Sequence, residues 1–282
     1  MVKDIISAFN KTKALKEEKI AYLGNVKQSA KLMYSYNKGW TTYGIYLAPA
    51  TLARDEKHPH INVCPFSQQC AEHCLNGAGH NKCSTLHAHE NGQKFSQIDS
   101  ARIRKTHLFY DDREKFMKLL IAELEQNKKR AESKGMNFAC RLNCTSDLSL
   151  ERFVINGKNI LELYPNVQFY DYTKVPSRLA LVEKYPNYDL TFSYDGTNFD
   201  TCKEYLDKGG KVAVVFDICD ENGKQTLPTE WRGYKVIDAN NDDIRFLDPK
   251  GCIMGLHYHR VANDYVKGEY QPKETSFIVR EV

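Results

Sequence analysis

Three cysteines with a C-x5-C-x3-C spacing are the residues of this chain that point most directly to chemistry. They are Cys64, Cys70 and Cys74, and Cys83 follows in the same segment, 62–92, which is rich in Gly, Asn, His and Ser. Thiolates bind soft and borderline metal ions and iron–sulfur clusters, and a polar loop lets several of them converge on one centre. The segment therefore predicts a metal site, in which spacing alone makes Cys83 the fourth ligand.

Two kinds of metal centre fit this spacing about equally well. Structural zinc sites usually pair one cysteine knuckle with a second knuckle or with two histidines, and only Cys70-x3-Cys74 resembles a knuckle here. Nearby histidines could complete a zinc site, namely His73, His80, His87 and His89. The spacing also differs from the C-x3-C-x2-C of radical enzymes that cleave S-adenosylmethionine. The residues alone leave an iron–sulfur cluster and a zinc ion both open.

The composition is that of an ordinary globular protein. Its 282 residues, 41% hydrophobic and 27% charged, can bury a core of normal size. The formal net charge of +4 is spread along the chain, so we do not expect binding to nucleic acid. The N-terminus lacks the apolar core of a signal peptide, and no apolar run approaches the roughly 20 residues that span a membrane. We therefore expect a cytoplasmic protein without membrane contact, whose cysteines stay reduced.

The elements that must position the cysteines alternate along the chain. Residues 1–39 are interpreted as an N-terminal extension with weak helical patterning, and 40–282 as a single domain. Candidate strands lie at 42–50, 138–143, 167–173, 188–193, 211–216, 234–238 and 252–257. Candidate helices cover 93–110, 148–163, 177–184 and 200–208. A further candidate helix follows a cap at Asp111 and stops at Gly135. This alternation predicts an α/β fold with a parallel sheet, and we expect an irregular TIM-like (βα)8 barrel, with a doubly wound open sheet as the alternative.

Polar side chains recur where the candidate strands end. In a βα barrel, functional side chains gather at the carboxyl ends of the strands. Arg141, Asn143 and Lys174 could donate hydrogen bonds to cluster sulfur or to an anionic substrate, and Asp171 or His257 could carry protons. These five residues are therefore the candidate catalytic residues.

Taken in order, these blocks resemble a family of phage-encoded iron–sulfur proteins that adopt a (βα)8 barrel with an exposed [4Fe-4S] cluster. The resemblance rests first on the cysteine block 62–79. Further blocks follow in the same order, at 100–106, 141–147, 169–174, 190–193, 212–216, 236–238 and 245–249. Together they extend from about residue 40 almost to the C-terminus.

The resemblance implies that Cys64, Cys70 and Cys74 are the cluster ligands. Cys83 lies in the stretch 81–93, which looks like an insertion relative to the family pattern, and Cys144 stands where that pattern has glycine. Three cysteine ligands leave one iron open, and by analogy open metal sites are the catalytic ones. The resemblance thus implies a redox protein of the host cytoplasm. Such a protein would take electrons from a donor and reduce a small molecule, for which sulfur compounds are one class.

Two other functions stay open at this point. The cysteine loop could be a zinc-stapled structural element of a barrel that binds a ligand or partner. The chain could also be an iron–sulfur sensor without turnover. Protein purified without oxygen distinguishes the first of these, because a cluster is brown and a zinc site is colourless.

Overall fold

The computed structural model describes residues 1–27, 30–74, 94–260, 265–266, 269–271 and 274–281. Cys83, the predicted fourth ligand, lies outside the described residues, as do His80, His87 and His89.

The α-helices are α1 (Val2–Ser7), α2 (Lys11–Glu17), α3 (Ala30–Tyr34), α4 (Gln97–Asp111), α5 (Arg113–Glu132), α6 (Ile160–Leu163), α7 (Leu181–Lys184) and α8 (Phe199–Asp207). The first eight strands are β1 (Gly24–Asn25), β2 (Trp40–Ile45), β3 (Asn137–Arg141), β4 (Val154–Ile155), β5 (Lys158–Asn159), β6 (Gln168–Thr173), β7 (Tyr188–Ser193) and β8 (Lys211–Phe216). The others are β9 (Ile218–Cys219), β10 (Gln225–Thr226), β11 (Glu230–Trp231), β12 (Tyr234–Asp238), β13 (Ile253–His257), β14 (Tyr265–Val266), β15 (Glu269–Tyr270) and β16 (Ile278–Val279).

Ten strands form one large and mostly parallel sheet, which confirms the α/β class. Its order is β1-β2-β3-β6-β7-β8-β13-β12-β11, and β16 pairs with the end of β8. The seven central strands from β2 to β12 are parallel, whereas the outer strands β1 and β11 pair antiparallel. Each of the seven predicted strands is present. The carboxyl ends of the central strands therefore meet at one edge of the sheet.

The predicted closure into a barrel is not confirmed. Strand β13 lies between β8 and β12, so the last strands leave the chain order that a (βα)8 barrel requires. Among the described residues, no strand pairing joins β2 to β12. The segment 239–248 instead crosses the sheet face opposite the long helices. There the ring of Phe246 packs 4.8 Å from that of Trp40 and 5.3 Å from that of Tyr170.

Helices α4 and α5 cover the other face of the sheet. Phe116, Leu120 and Leu124 of α5 are fully buried in the same core as Tyr43 of β2, as their four-residue spacing predicts. The cap of α5 is Asp112 rather than the predicted Asp111, and its side chain accepts the backbone N–H of Lys115 at 2.9 Å. The shift arises because the preceding residue is still the last residue of α4.

The predicted helix over 148–163 is wrong for most of its length. This stretch contains a short 3-10 turn, the hairpin β4–β5 and the four-residue helix α6. Asn156 and Gly157 join the two strands with positive φ angles of 52° and 79°. An Asn-Gly pair is the usual turn of a two-residue hairpin, so local turn chemistry overrides the helical spacing of the apolar residues here.

The N-terminal helices α1 and α2 pack against α5. The buried carboxylate of Glu123 ties the following segment to the same helix, because it accepts the backbone N–H groups of Leu23 at 2.9 Å and Gly24 at 3.0 Å. The Tyr43 hydroxyl donates to it at 2.7 Å. Within the described part of the chain, no helix is both long and apolar enough to cross a membrane.

Candidate metal centre

Cys64, Cys70 and Cys74 share one loop, and all three side chains are half-buried. The Asn62 side chain accepts the backbone N–H of Cys64 at 2.9 Å, and a turn follows in which the N–H of Ser67 donates to the Cys64 carbonyl at 3.0 Å. Cys70 lies in a short 3-10 turn, Gln68–Ala71. Burial, together with smaller contributions from the nearby Cys74 and Cys70, raises the pKa of Cys64 to about 12. Cys70 and Cys74 therefore lie near Cys64.

The cysteine loop is attached to the carboxyl edge of the sheet. The backbone N–H of Asp147, beyond the end of β3, donates to the carbonyl of Val63 at 2.7 Å. The Cys64 thiol lies 3.7 Å from the carbonyl oxygen of Thr145, whose hydroxyl donates to the Leu47 carbonyl at 2.6 Å. The segments that follow β2 and β3 thus fix the position of the first cysteine.

A buried ion network fixes the segment to which the loop is attached. The guanidinium of Arg178, only 1% exposed, donates to Asp147 at 2.6 Å and lies 3.4 Å from Glu151 and 3.5 Å from Asp171. It also donates to the Tyr188 hydroxyl. Asp147 in addition accepts from two groups at the end of β6, the Thr173 hydroxyl at 2.8 Å and the backbone N–H of residue 174 at 2.7 Å. The network therefore joins the ends of β3 and β6 beneath the cysteine loop.

Two of the predicted catalytic residues belong to this network. Asn143 donates to Asp171 at 3.0 Å and to the carbonyl of Leu148 at 3.0 Å, and its oxygen accepts from the Ser146 hydroxyl at 2.8 Å. Asp171 accepts from the Tyr188 hydroxyl at 2.7 Å and is almost fully buried, and this burial raises its pKa. The hydrogen bonds of both side chains hold the segments at the strand ends in position.

The other three predicted residues lie in different places. Arg141 points to the face covered by 239–248, where it pairs with Asp243 at 2.5 Å and lies over the ring of Tyr172. The Lys174 ammonium lies 5.2 Å from the ring centroid of Phe277, beside the cysteine loop. His257 ends β13 and is half-buried, and its backbone N–H donates to the side chain of Asn240. Of these three, Lys174 lies next to the cysteine loop through its contact with Phe277.

Sequence reasoning missed a buried histidine–tyrosine pair. His73, which precedes Cys74, is 5% exposed, and its Nδ1 lies 2.8 Å from the hydroxyl of Tyr258. Cys70 packs against the apolar cluster that contains Tyr258 and Phe277. Tyr258 directly follows His257, the strand-end residue that the sequence analysis named. The sequence therefore pointed to this region but not to the pair.

The C-terminal segment covers the cysteine loop. The side-chain oxygen of Gln69 accepts the backbone N–H groups of Ser276 at 3.1 Å and Phe277 at 3.3 Å, and it also accepts from the Thr275 hydroxyl. The ring of Phe277 stacks on that of His73 at 6.4 Å. The loop is therefore held between the strand ends and the last strand, β16.

The family model described as Gene product 88 matches residues 8–269. The chain belongs to the Gene product 88 family. This assignment agrees with the coarser part of the resemblance, a phage-type protein, and its description says nothing of iron or sulfur. Neither a curated protein nor a solved structure matches the chain.

The match to Gene product 88 includes the whole cysteine loop and the Arg178 network. It ends before residues 275–277, which cover the loop. The cysteine loop and the network that supports it thus lie within the matched range, whereas the C-terminal cover lies outside it.

Proposed function

We propose that the chain binds a [4Fe-4S] cluster through Cys64, Cys70 and Cys74 and uses it to reduce a small molecule. The observation that carries the proposal is that one loop with three half-buried cysteines is attached to the carboxyl edge of a parallel sheet. Ligand sites of parallel α/β sheets lie outside this edge. Sulfur compounds are the first class of substrate to test.

The donor set fits such a cluster. Cysteine thiolates are the usual ligands of iron–sulfur clusters, and a buried, mutually repelling set of thiolates needs a positive centre to be stable. Zinc also accepts thiolate ligands, so the metal and sulfide analysis below distinguishes a cluster from a zinc site.

A bound cluster would supply one-electron transfer, and the chain's own residues would bind and orient the other reactants. The Lys174 ammonium beside Phe277 gives the edge a positive charge that would attract an anionic substrate or the electron donor. The pair His73–Tyr258 would hold a proton at a defined position between Nδ1 and the hydroxyl oxygen. We assign Asn143 and Asp171 a positioning role, and we keep His257 as a proposed proton carrier.

The three-cysteine ligand set leaves one iron for water or substrate. Cys83 is the alternative fourth ligand, and a Cys83→Ala variant tests it directly. Equal iron content in this variant and in the wild type supports an open iron, and reduced content supports four cysteine ligands. The matched control is Cys219→Ala, because Cys219 is exposed and lies outside the loop.

Anaerobic purification followed by iron, sulfide and zinc analysis tests the proposal as a whole. We expect brown protein with about four irons and four acid-labile sulfides per chain. Anaerobic reconstitution with iron and sulfide repeats the measurement if expression has loaded the site only partly. A colourless protein that holds one zinc and takes up no iron after reconstitution would refute the proposal.

A further inference from the structure

A second group of metal-ligating side chains lies where the loop before the cysteines meets α4. Ligand atoms of Asp55, His58 and His107 all fall within 4.8 Å of one another, the one such group among the described residues. The two imidazole rings stack with their centroids 4.1 Å apart and their planes 18° from parallel. Asp55 and His58 are neighbours in the loop, whereas His107 lies far along the chain on α4, so folding brings it to them.

The three groups lie at hydrogen-bond and ion-pair distances, which are also short enough for one ion to bind all three. His58 Nδ1 lies 2.8 Å from one oxygen of Asp55, and His107 Nε2 lies 3.6 Å from the other. An ion bound at about 2.0–2.2 Å by nitrogen and oxygen separates neighbouring ligand atoms by roughly 3 Å. His107 Nε2 donates to the carbonyl oxygen of Ala53 at 2.7 Å, so a bound ion would displace that hydrogen and could take the same oxygen as a further ligand.

Asp111 supplies the partner that metal-bound histidines usually have. Its carboxylate oxygens lie 3.1 and 3.2 Å from His58 Nε2, and Lys57 balances it at 3.1 Å. A carboxylate on one ring nitrogen fixes the hydrogen there and turns the lone pair of the other nitrogen toward the metal. Here that lone pair would face Asp55 at 2.8 Å, which is repulsive unless a proton or a cation lies between them.

We propose that His58 Nδ1, His107 Nε2 and the Asp55 carboxylate bind one divalent first-row transition-metal ion. Two imidazoles and one carboxylate form the ligand set of many zinc and non-haem iron(II) sites, and imidazole disfavours calcium and magnesium. The Asp55 side chain is 43% exposed, so the remaining coordination positions face solvent. This site is separate from the cysteine loop and does not depend on what that loop binds.

Titration of the full chain with Co²⁺ tests the proposal, because the absorption spectrum reports the donor atoms. Cobalt bound by nitrogen and oxygen gives visible d–d bands, whereas thiolate ligands add a near-ultraviolet charge-transfer band. We expect one equivalent of cobalt to bind with d–d bands alone. His107→Gln should weaken that binding at least about a hundredfold, since losing an outer partner alone costs about ten- to a hundredfold.

The exposed His60, in the same loop, provides the matched control. His60→Gln should leave the nitrogen–oxygen bands and the affinity unchanged. Asp55→Asn is the second variant, because its exposed position leaves folding intact, and circular dichroism checks each protein. The proposal is overturned if His107→Gln and Asp55→Asn bind cobalt as the wild type does, or if every bound cobalt shows thiolate charge transfer. In that case the group is an ion-paired cluster that ties the loop to α4.

Discussion

His58 precedes Cys64 by only six positions in the sequence. The cysteine loop and the Asp55–His58–His107 group nevertheless offer metals different donor atoms. The first has half-buried thiols held between strand ends and the C-terminal segment. The second has imidazoles and a carboxylate on an exposed loop beside a helix. Soft thiolates favour iron–sulfur clusters, whereas imidazole and carboxylate favour single zinc or iron(II) ions. One short stretch of chain thus separates two classes of metal chemistry by donor type and burial.

The largest expected effect comes from removing a cluster ligand. Cys70→Ser should abolish the brown colour and most of the bound iron, because two remaining thiolates cannot hold the cluster in place. Cobalt binding at the Asp55–His58–His107 group should stay unchanged, as measured by its d–d bands. Cys219→Ser is the control for cysteine loss alone. Unchanged iron content in Cys70→Ser would show that the cysteine loop does not bind the iron.

A large loss of stability is expected when the support beneath the cysteine loop is broken. Arg178→Met leaves the carboxylates of Asp147, Glu151 and Asp171 buried without their cation, which should cost about 3–5 kcal/mol of unfolding free energy. Chemical denaturation measures it. The exposed Arg152 is the matched control, and Arg152→Met should change stability by less than about 0.5 kcal/mol. Equal small effects in both variants would show that the network does not support the loop.

A smaller effect is expected at the histidine group when its outer partner is changed. Asp111→Asn should weaken cobalt binding by about ten- to a hundredfold, because it weakens the hold on the His58 ring. Iron content of the cysteine loop should not change. A cobalt affinity equal to that of the wild type would mean that Asp111 does not orient a ligand.

The smallest expected effect concerns the histidine–tyrosine pair beside the cysteines. Tyr258→Phe removes the hydrogen bond to His73 and should lower the unfolding free energy by about 1 kcal/mol. Iron content should remain at the wild-type level, because neither residue is a proposed ligand. A variant that folds but loses its iron would instead place this pair in the support of the cluster.

The local part of the fold could be predicted from the sequence, whereas the long-range part could not. Alternation at 42–50 and short apolar or β-branched runs elsewhere located all seven central strands, and the spacing within 116–124 identified the buried face of α5. The insertion of β13 between β8 and β12 depends on pairing between distant segments, which no local pattern encodes. The hairpin at Asn156–Gly157 did carry a turn signal, but helical spacing of the neighbouring apolar residues masked it.

The candidate sites divide in the same way. The cysteine triplet is local, so its spacing alone pointed to a metal centre. Arg178 and His107 gain their partners only after folding, and neither lies in a recognisable motif. Arg141 followed a strand as expected, but its side chain points to the face covered by 239–248 and pairs with Asp243. Position at a strand end thus predicts location along the sheet, but not which partner the side chain finds.

The central claim is a three-cysteine [4Fe-4S] cluster with one iron open. Mössbauer spectroscopy of protein reconstituted anaerobically with ⁵⁷Fe tests it most directly, because the technique distinguishes irons by their ligands. We expect two iron environments in a ratio of about three to one, unchanged in Cys83→Ala. Four equivalent irons that become unequal in Cys83→Ala, or a protein that takes up no ⁵⁷Fe, would contradict it.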